Sequence, residues 1–522
     1  MIQPILPSSP SVEQMNRAFD ALRERSADQR KLNAKQRIKR LESLYAEIWR
    51  RRVDLKKAMW DDFRKPAEEV DLTEIFVIKS EIKAVKKGLR RWMKPRRVAG
   101  GLALLGSASW IRQEAKGVAL IIAPWNYPMQ LVFRPLVAAI AAGCTVMLKP
   151  SELTGQTAQV VAEIVAAVFP VNEVAVVQGG VETATHLLSL PFNHMYFTGS
   201  PEVGKIVMRA AAQHPCSVTL ELGGKSPAIV DESASMKATA KKIAWAKLSN
   251  AGQICVAPDY IFVPRSRGAE FVEALKAAMV ELYPGIVAEN PDYQRIVKDA
   301  HAQRLLDLLD DAVSKGAKVA HGGTSDASRC FVHPTILTEV PVEAKIMEEE
   351  VFGPILPVIL YDDIQEVVES VNSRPVPLAL YIYSKRNRFV SEVLDSVQSG
   401  GASINNSVIH VSSNHLPFGG LGNSGIGSGH GPEKNLPDLV DFGARDEPYK
   451  CSCASIDPQT HRSRGDRFAQ FSRTSARHDL MVKQRPDQYS FQPSATQQLG
   501  SRRPEQSFIA YQTRPKLEPG PR

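Results

Sequence analysis

Short, unbroken apolar runs alternate with amphipathic stretches through most of the chain, and this pattern limits the fold more than any other feature. Val118–Ala123 is apolar at every position, as expected of a strand buried on both faces. Similar runs recur at Thr145–Leu148, Glu173–Val177, His194–Phe197 and Ser217–Leu222. Helical periodicity lies between them, notably in Gln156–Ala167 and Val203–Ala212. Strand and helix in alternation predict a parallel sheet with crossover helices. A second series starts after Gly224. Helical patterns at Met236–Leu248, Phe271–Leu282 and Ala302–Ser314 alternate with strands at Tyr260–Val263, Leu356–Tyr361 and Leu378–Tyr383, ending near Pro417. The expected class is therefore α/β, with two doubly wound domains.

The two ends of the chain differ from this middle. Residues from about Asn33 to Trp92 are helical in pattern, with Ile38, Leu41, Tyr45, Ile48 and Trp49 on one face. Beyond Pro432 the sequence is rich in Ser, Arg, Gln and Pro and loses all periodicity, so a disordered tail is expected. The tail also carries much of the net charge of +9: from Asp441 onward 14 Lys/Arg against 9 Asp/Glu leave +5. A second basic cluster comprises Lys83, Lys86, Lys87, Arg90, Arg91, Lys94, Arg96 and Arg97. Its favoured reading is a solvated helix face, ahead of contact with an anionic membrane surface. No motif for reading nucleic acid accompanies the charge.

Six cysteines among 522 residues lack the spacing of a disulfide scaffold, and Cys451 and Cys453 stand too close for the usual zinc-ligand pair. Reduced thiols, a cytoplasmic setting and no bound metal are expected. Met1–Pro10 has no signal-peptide character, and no run approaches the roughly 18 apolar residues of a membrane span.

Several strings carry chemistry. Cys255 closes Asn250-Ala251-Gly252-Gln253-Ile254-Cys255, and Glu221 lies in Leu220-Glu221-Leu222-Gly223-Gly224-Lys225. A thiol can attack a carbonyl, and a carboxylate can activate the water that later releases the acyl group. Pro124-Trp125-Asn126-Tyr127-Pro128 follows a buried strand, where a stiffened Asn126 could donate its amide to an oxyanion. Lys149 and Glu152 stand at a strand's carboxyl end, where open α/β sheets bind ligands. Gly199-Ser200-Pro201-Glu202-Val203-Gly204 reads as a strand, turn and helix start suited to a pyrophosphate. Gly420-Leu421-Gly422-Asn423-Ser424-Gly425 matches the dinucleotide fingerprint literally, but further glycines follow where a helix is required. Each string alone has a plain alternative: a turn residue, a surface ion pair, a strand-end carboxylate or an inert buried cysteine.

Taken in order, these strings resemble the aldehyde dehydrogenase superfamily over roughly residues 15 to 431, and most closely its class-three branch. The branch is suggested by Asn250–Tyr260 and by Leu416-Pro417-Phe418-Gly419-Gly420-Leu421-Gly422-Asn423-Ser424-Gly425. The resemblance implies N-terminal helices and an NAD-binding domain over 1–222, with a bridging segment near 98–115, and a small oligomerisation element. It further implies a catalytic domain over 223–417 and a return segment over 418–431, leaving 432–522 as a divergent tail. It also implies that Cys255 attacks the aldehyde, that Asn126 and the Cys255 backbone N–H hold the oxyanion, and that Glu221 activates water. Trp125, Lys149, Glu152, Gly199, Ser200, Gly204, Glu350 and Phe352 would bind the cofactor. Glu152 near the adenosine ribose favours NAD, with NADP left open.

A medium- or long-chain aliphatic or aromatic aldehyde and a homodimer are the expected partners. Acylating relatives, which pass the acyl group to coenzyme A, lack the glutamate. After Gly431 the family's ending is lost, as a shifted reading frame would produce, which puts the dimer in question. It also keeps a catalytically impaired or structural protein on this fold as the alternative.

Overall fold

The computed structural model describes residues 6–99, 109–429, 440–441 and 508–510. Two sheets organise it. The first has six strands in the order Gly425–Ile426, Ser217–Leu222, His194–Gly199, Val118–Ile122, Thr145–Lys149, Val174–Val176. All are parallel except Gly425–Ile426, which returns antiparallel along Ser217–Leu222 with Gly425 opposite Glu221. The chain leaves Val118–Ile122 towards one edge and later resumes beside it at His194–Gly199. The strand order reverses between those two strands, and open α/β sheets bind ligands outside the carboxyl ends of the strands at such a switch point.

Alternation along each strand sends side chains to opposite layers. Ala119 and Ile121 enter a core shared with the helices Ala34–Arg50, Phe76–Trp92 and Gln130–Ala142. Val118, Leu120 and Ile122 enter another, closed by Val12–Gln29 and Pro201–Ala211. Each fully buried Leu or Ile contributes about 1.5–3 kcal/mol.

The second sheet runs Lys318–His321, Thr335–Thr338, Ile355–Tyr361, Tyr260–Pro264, Pro227–Val230, Ala379–Tyr383, Gly401–Ile404, Phe508–Ala510. Its interior is parallel, its two outermost pairings are antiparallel, and apolar cores cover both faces. The expected α/β class holds, and each strand and helix anticipated in the middle of the chain is present.

Three local differences have physical causes. The helical stretch 33–92 is interrupted at Arg51 and again at Arg64–Pro66. Arg64 takes φ +56°, and Pro66 cannot continue the preceding helix, so a new turn opens into a π-helical segment, Val70–Ile75. Trp49 does not share the buried face. It is 53% exposed and stacks against Arg52, while Leu44 takes the core position between Leu41 and Ile48. The first helix, Val12–Gln29, has no counterpart in the sequence expectation although Ser11 and Gln14 form a capping box.

The tail expected to be disordered falls mostly outside the described residues, as do Cys451 and Cys453. Within it, Val440–Asp441 pairs with Glu114–Ala115, and Phe508–Ala510 pairs with Gly401–Ile404. A sheet edge presents unpaired N–H and C=O groups that any extended segment can satisfy. The basic residues between Lys83 and Arg97 are all exposed. Among the described residues no helix is long and apolar enough to cross a membrane, and no cluster could hold a metal ion.

Candidate active site

Cys255 follows a turn whose backbone is held in an unfavourable shape. Asn250 and Ala251 take φ +53° and +49°, and Gly252 takes +77°. Only glycine adopts such angles without steric cost, and a Cβ on Gly252 would also lie 2.3 Å from the Gly353 carbonyl oxygen. Hydrogen bonds hold the shape in place. The Asn250 N–H donates to Glu69 at 2.9 Å, and its amide donates to the carbonyls of Asn126 and Gln253 at 3.0 Å. Gln294 donates to the Asn250 side-chain oxygen. Gln253 donates to the carbonyls of Asn250 and Arg295 and accepts from the Val297 N–H. Asn and Gln at these positions are thus parts of one polar network, built around a turn that aims the thiol.

Asn126 is 3% exposed and donates one amide N–H to the Gln253 carbonyl at 2.9 Å. A primary amide has two such donors, so the network fixes the group without using its full capacity. Burial, followed by the Glu350 and Glu221 carboxylates, pushes the Cys255 thiol up to about 12. The Cys255 and Val256 backbone N–H groups offset part of that rise. Both glutamates are therefore within electrostatic reach of the sulfur, although 34 and 95 positions separate them from it in sequence.

Glu221 is 5% exposed near the end of its strand. The return segment closes over it. A Cβ on Gly429 would lie 2.8 Å from a Glu221 carboxylate oxygen and 2.4 Å from the Tyr196 hydroxyl. Gly420–Gly425 forms a short 3₁₀ turn and strand with no following helix, so its fingerprint-like spacing has no dinucleotide-binding context.

Lys149 and Glu152 meet at the carboxyl end of Thr145–Lys149, where the buried ammonium donates to the carboxylate at 2.7 Å. Burial alone would raise the Glu152 carboxyl, but hydrogen bonding and attraction from Lys149 bring it below its ordinary range. Ser200 caps the helix Pro201–Ala211 and accepts from the Val203 N–H. Gly204 lets that helix approach the strand beneath it, since a Cβ there would meet Leu222 at 2.7 Å.

Glu350 lies over Gly223, where a Cβ would sit 2.0 Å from its carboxylate, and it accepts from the Gly224 N–H. Lys225 secures this segment. It pairs with Asp259 and donates to the carbonyls of Ile346 and Glu349 at 2.8 Å, while Asp259 accepts from the Val351 N–H. Phe352, at φ +48°, packs edge-on against Trp125 with ring centroids 5.4 Å apart. His301 completes this aromatic group at 5.3 Å from Trp125.

Burial, and then repulsion from Asp259, raises the Glu350 carboxyl to about 8. A raised folded-state value means that the folded chain keeps a proton that the unfolded chain releases. Stability attributable to this group is therefore full below the ordinary carboxylate range and falls as pH rises towards 8. Glu350→Gln should flatten that decline. Denaturation midpoints measured at about pH 5 and pH 8 check it, and an unchanged pH slope would contradict it.

Trp125, Lys149, Glu152, Gly199, Ser200 and Gly204 stand at or just beyond the carboxyl ends of strands of the first sheet. Cys255, Glu350 and Phe352 lie on segments of the second. Glu69, Gln294, Lys225, Asp259 and His301 also serve the site, and sequence reasoning missed them as site residues. Their contacts span large separations that no local pattern encodes.

Residues 8–439 match the aldehyde dehydrogenase family. The chain belongs to that family. It is 42% identical over 378 residues to the 4,4'-diaponeurosporen-aldehyde dehydrogenase of Staphylococcus aureus, covering 72% of this chain and 82% of that one. The structure of substrate-bound Staphylococcus aureus AldH superimposes with a TM-score of 0.79 at 36% identity, covering 88% of this chain and 99% of the other. A Mycobacterium tuberculosis aldehyde dehydrogenase complexed with NAD+ superimposes at 0.75 with 27% identity, covering 84% and 92%. Membership makes the protein an NAD(P)-dependent oxidoreductase, and a purely structural role on this fold is not favoured.

Proposed function

We propose that the protein oxidises a medium- or long-chain aliphatic or aromatic aldehyde to its carboxylic acid with NAD, through a thioester on Cys255. What supports this reading is that two carboxylates from distant parts of the chain, Glu221 and Glu350, act electrostatically on one thiol, while the Asn126 amide is held on the carbonyl of Gln253, two residues before it. Cys255 packs in a cluster with Tyr127, Leu131, Tyr381, Val411 and Phe418, which favours a hydrocarbon or aromatic substrate.

The donor set fits a dinucleotide. A capped helix N-terminus at Ser200 suits a pyrophosphate, and Gly199 and Gly204 keep the backbone close. Lys149 and Glu152 suit the hydroxyls of a ribose, and the Glu152 carboxylate disfavours a 2′-phosphate, so NAD is preferred over NADP. Trp125 and Phe352 would flank the nicotinamide end, with Glu350 on its ribose. When bound, the nicotinamide accepts hydride and brings positive charge near a sulfur that is otherwise held protonated.

The chain's own residues do the rest. The Cys255 thiolate adds to the aldehyde carbon to give a thiohemiacetal. Its oxyanion takes a hydrogen bond from the Asn126 amide and from the Cys255 N–H. Hydride loss leaves the thioester. Glu221 then removes a proton from water as it attacks the acyl carbon, and the acid departs as the thiolate is regenerated. Glu221 also argues against transfer to coenzyme A.

The assay is direct. Protein, NAD and a panel of aliphatic and aromatic aldehydes should give NADH and carboxylic acid in equal amounts. Absence of NADH with every aldehyde would overturn the reading.

A further inference from the structure

The loop between Ile404 and Phe418 is pinned by hydrogen bonds from Asn405, Ser407 and Asn414. Asn405 takes φ +56° and exchanges hydrogen bonds with both the backbone N–H and the carbonyl of Ser384. Its own carbonyl accepts from Lys242 at 2.8 Å. Ser407 pairs with the Tyr383 hydroxyl at 2.6 Å, and Asn414 donates to Ser80 at 2.7 Å. Val408 is forced to φ +56°, a costly conformation for a β-branched residue. That strained turn brings His410 against the rings of Tyr381 and Phe418.

His410 differs from Asn405 and Ser407, whose side chains are hydrogen-bonded. It is 5% exposed, and neither ring nitrogen has a hydrogen-bond partner among the described residues. Its ring lies 5.9 Å from that of Tyr381 and 6.2 Å from that of Phe418. Tyr381 in turn donates its hydroxyl to the carbonyl of Val256, the residue after Cys255, and interacts electrostatically with the thiol. Tyr381 thus links His410 to the residue that follows the nucleophile. A histidine buried among apolar groups with both nitrogens idle is costly for a folded chain, unless a ligand completes it. Burial pushes it down to about 4, so at neutral pH the ring is uncharged, with one donor and one acceptor.

We infer that His410 is a specificity-determining residue that hydrogen-bonds a second, uncharged oxygen of the substrate, so that the preferred aldehydes carry a hydroxyl, ether or keto group some carbons from the carbonyl. A hydroxyl matches best, because it can accept from one ring nitrogen and donate to the other. This inference rests on the reading of Cys255 as the aldehyde-binding nucleophile.

The test compares kcat/KM for an n-alkanal and for hydroxyalkanals of the same length, with the hydroxyl moved carbon by carbon along the chain. The wild type should favour one hydroxyl position by about tenfold or more. His410→Phe, which fills the space without polar atoms, should lose that preference while turning over the plain alkanal as before. His410→Gln, which keeps a donor and an acceptor, should retain part of it. If His410→Phe does not fold, the glutamine variant and the wild-type positional profile still decide. Equal kcat/KM for all positions in the wild type, or parallel losses on both substrate types in His410→Phe, would overturn the inference. Absence of NADH with every aldehyde would instead strike the parent reading.

Discussion

Cys255→Ala should lower steady-state NADH formation by about 10⁴-fold or more, with no loss of secondary structure by circular dichroism. The side chain is partly exposed on a turn held by backbone shape and the Asn250–Gln253 network, so removing one sulfur leaves the scaffold intact. The loss should appear in pre-steady-state NADH release as well, because hydride departs only after the thiol has added to the carbonyl. With its thiol pushed up to about 12, the protein without cofactor should also alkylate slowly at neutral pH and faster as pH rises. Wild-type-like turnover in Cys255→Ala would remove the thiol from the mechanism altogether.

Glu221→Gln should behave differently, and the contrast is the informative part. The first turnover should survive as a burst of NADH close to one per active site. Steady-state turnover should fall by about 10²–10⁴-fold, because an amide cannot take the proton of the attacking water. Gln is nearly isosteric, so the tight approach of Gly429 and the pairing of Gly425 opposite residue 221 should persist. An unchanged steady state would assign deacylation to another group. Loss of the burst as well would mean that Glu221 acts before hydride departs.

Much of the fold was legible in advance because double burial leaves an unmistakable mark. Val118–Ile122 is apolar at every position and Thr145–Lys149 has an apolar centre, both buried throughout, and the helices between such strands keep a regular period. The edges were harder to read. Lys318–His321 is half exposed, and Gly401–Ile404 is short and begins at a glycine, so neither carries that mark. Trp49 illustrates another limit: periodicity places a side chain on a face, but only packing decides between neighbouring candidates such as Leu44 and Trp49.

The candidate site divides in the same way. Cys255, Glu221 and Asn126 stood out because each sits in a glycine- or proline-bearing string. Lys225 and Asp259 lay in plain sight within those strings, yet their joint work in tethering Ile346–Val351 depends on a long-range contact. Glu69 and His410 gave no signal at all. A lone carboxylate in a helical segment and a lone histidine in a loop acquire meaning only once the chain brings Asn250 and Tyr381 beside them.

The central claim is that one thiol, Cys255, carries the acyl group and that Glu221 releases it. Its most direct test is peptide-resolved mass spectrometry of Glu221→Gln, quenched in acid after mixing with NAD and an aldehyde. The account predicts a mass increase equal to the acyl group on the peptide containing Cys255, matched in amount to the NADH burst. An NADH burst with no acyl group on that peptide, or with the acyl group on another cysteine, would contradict it.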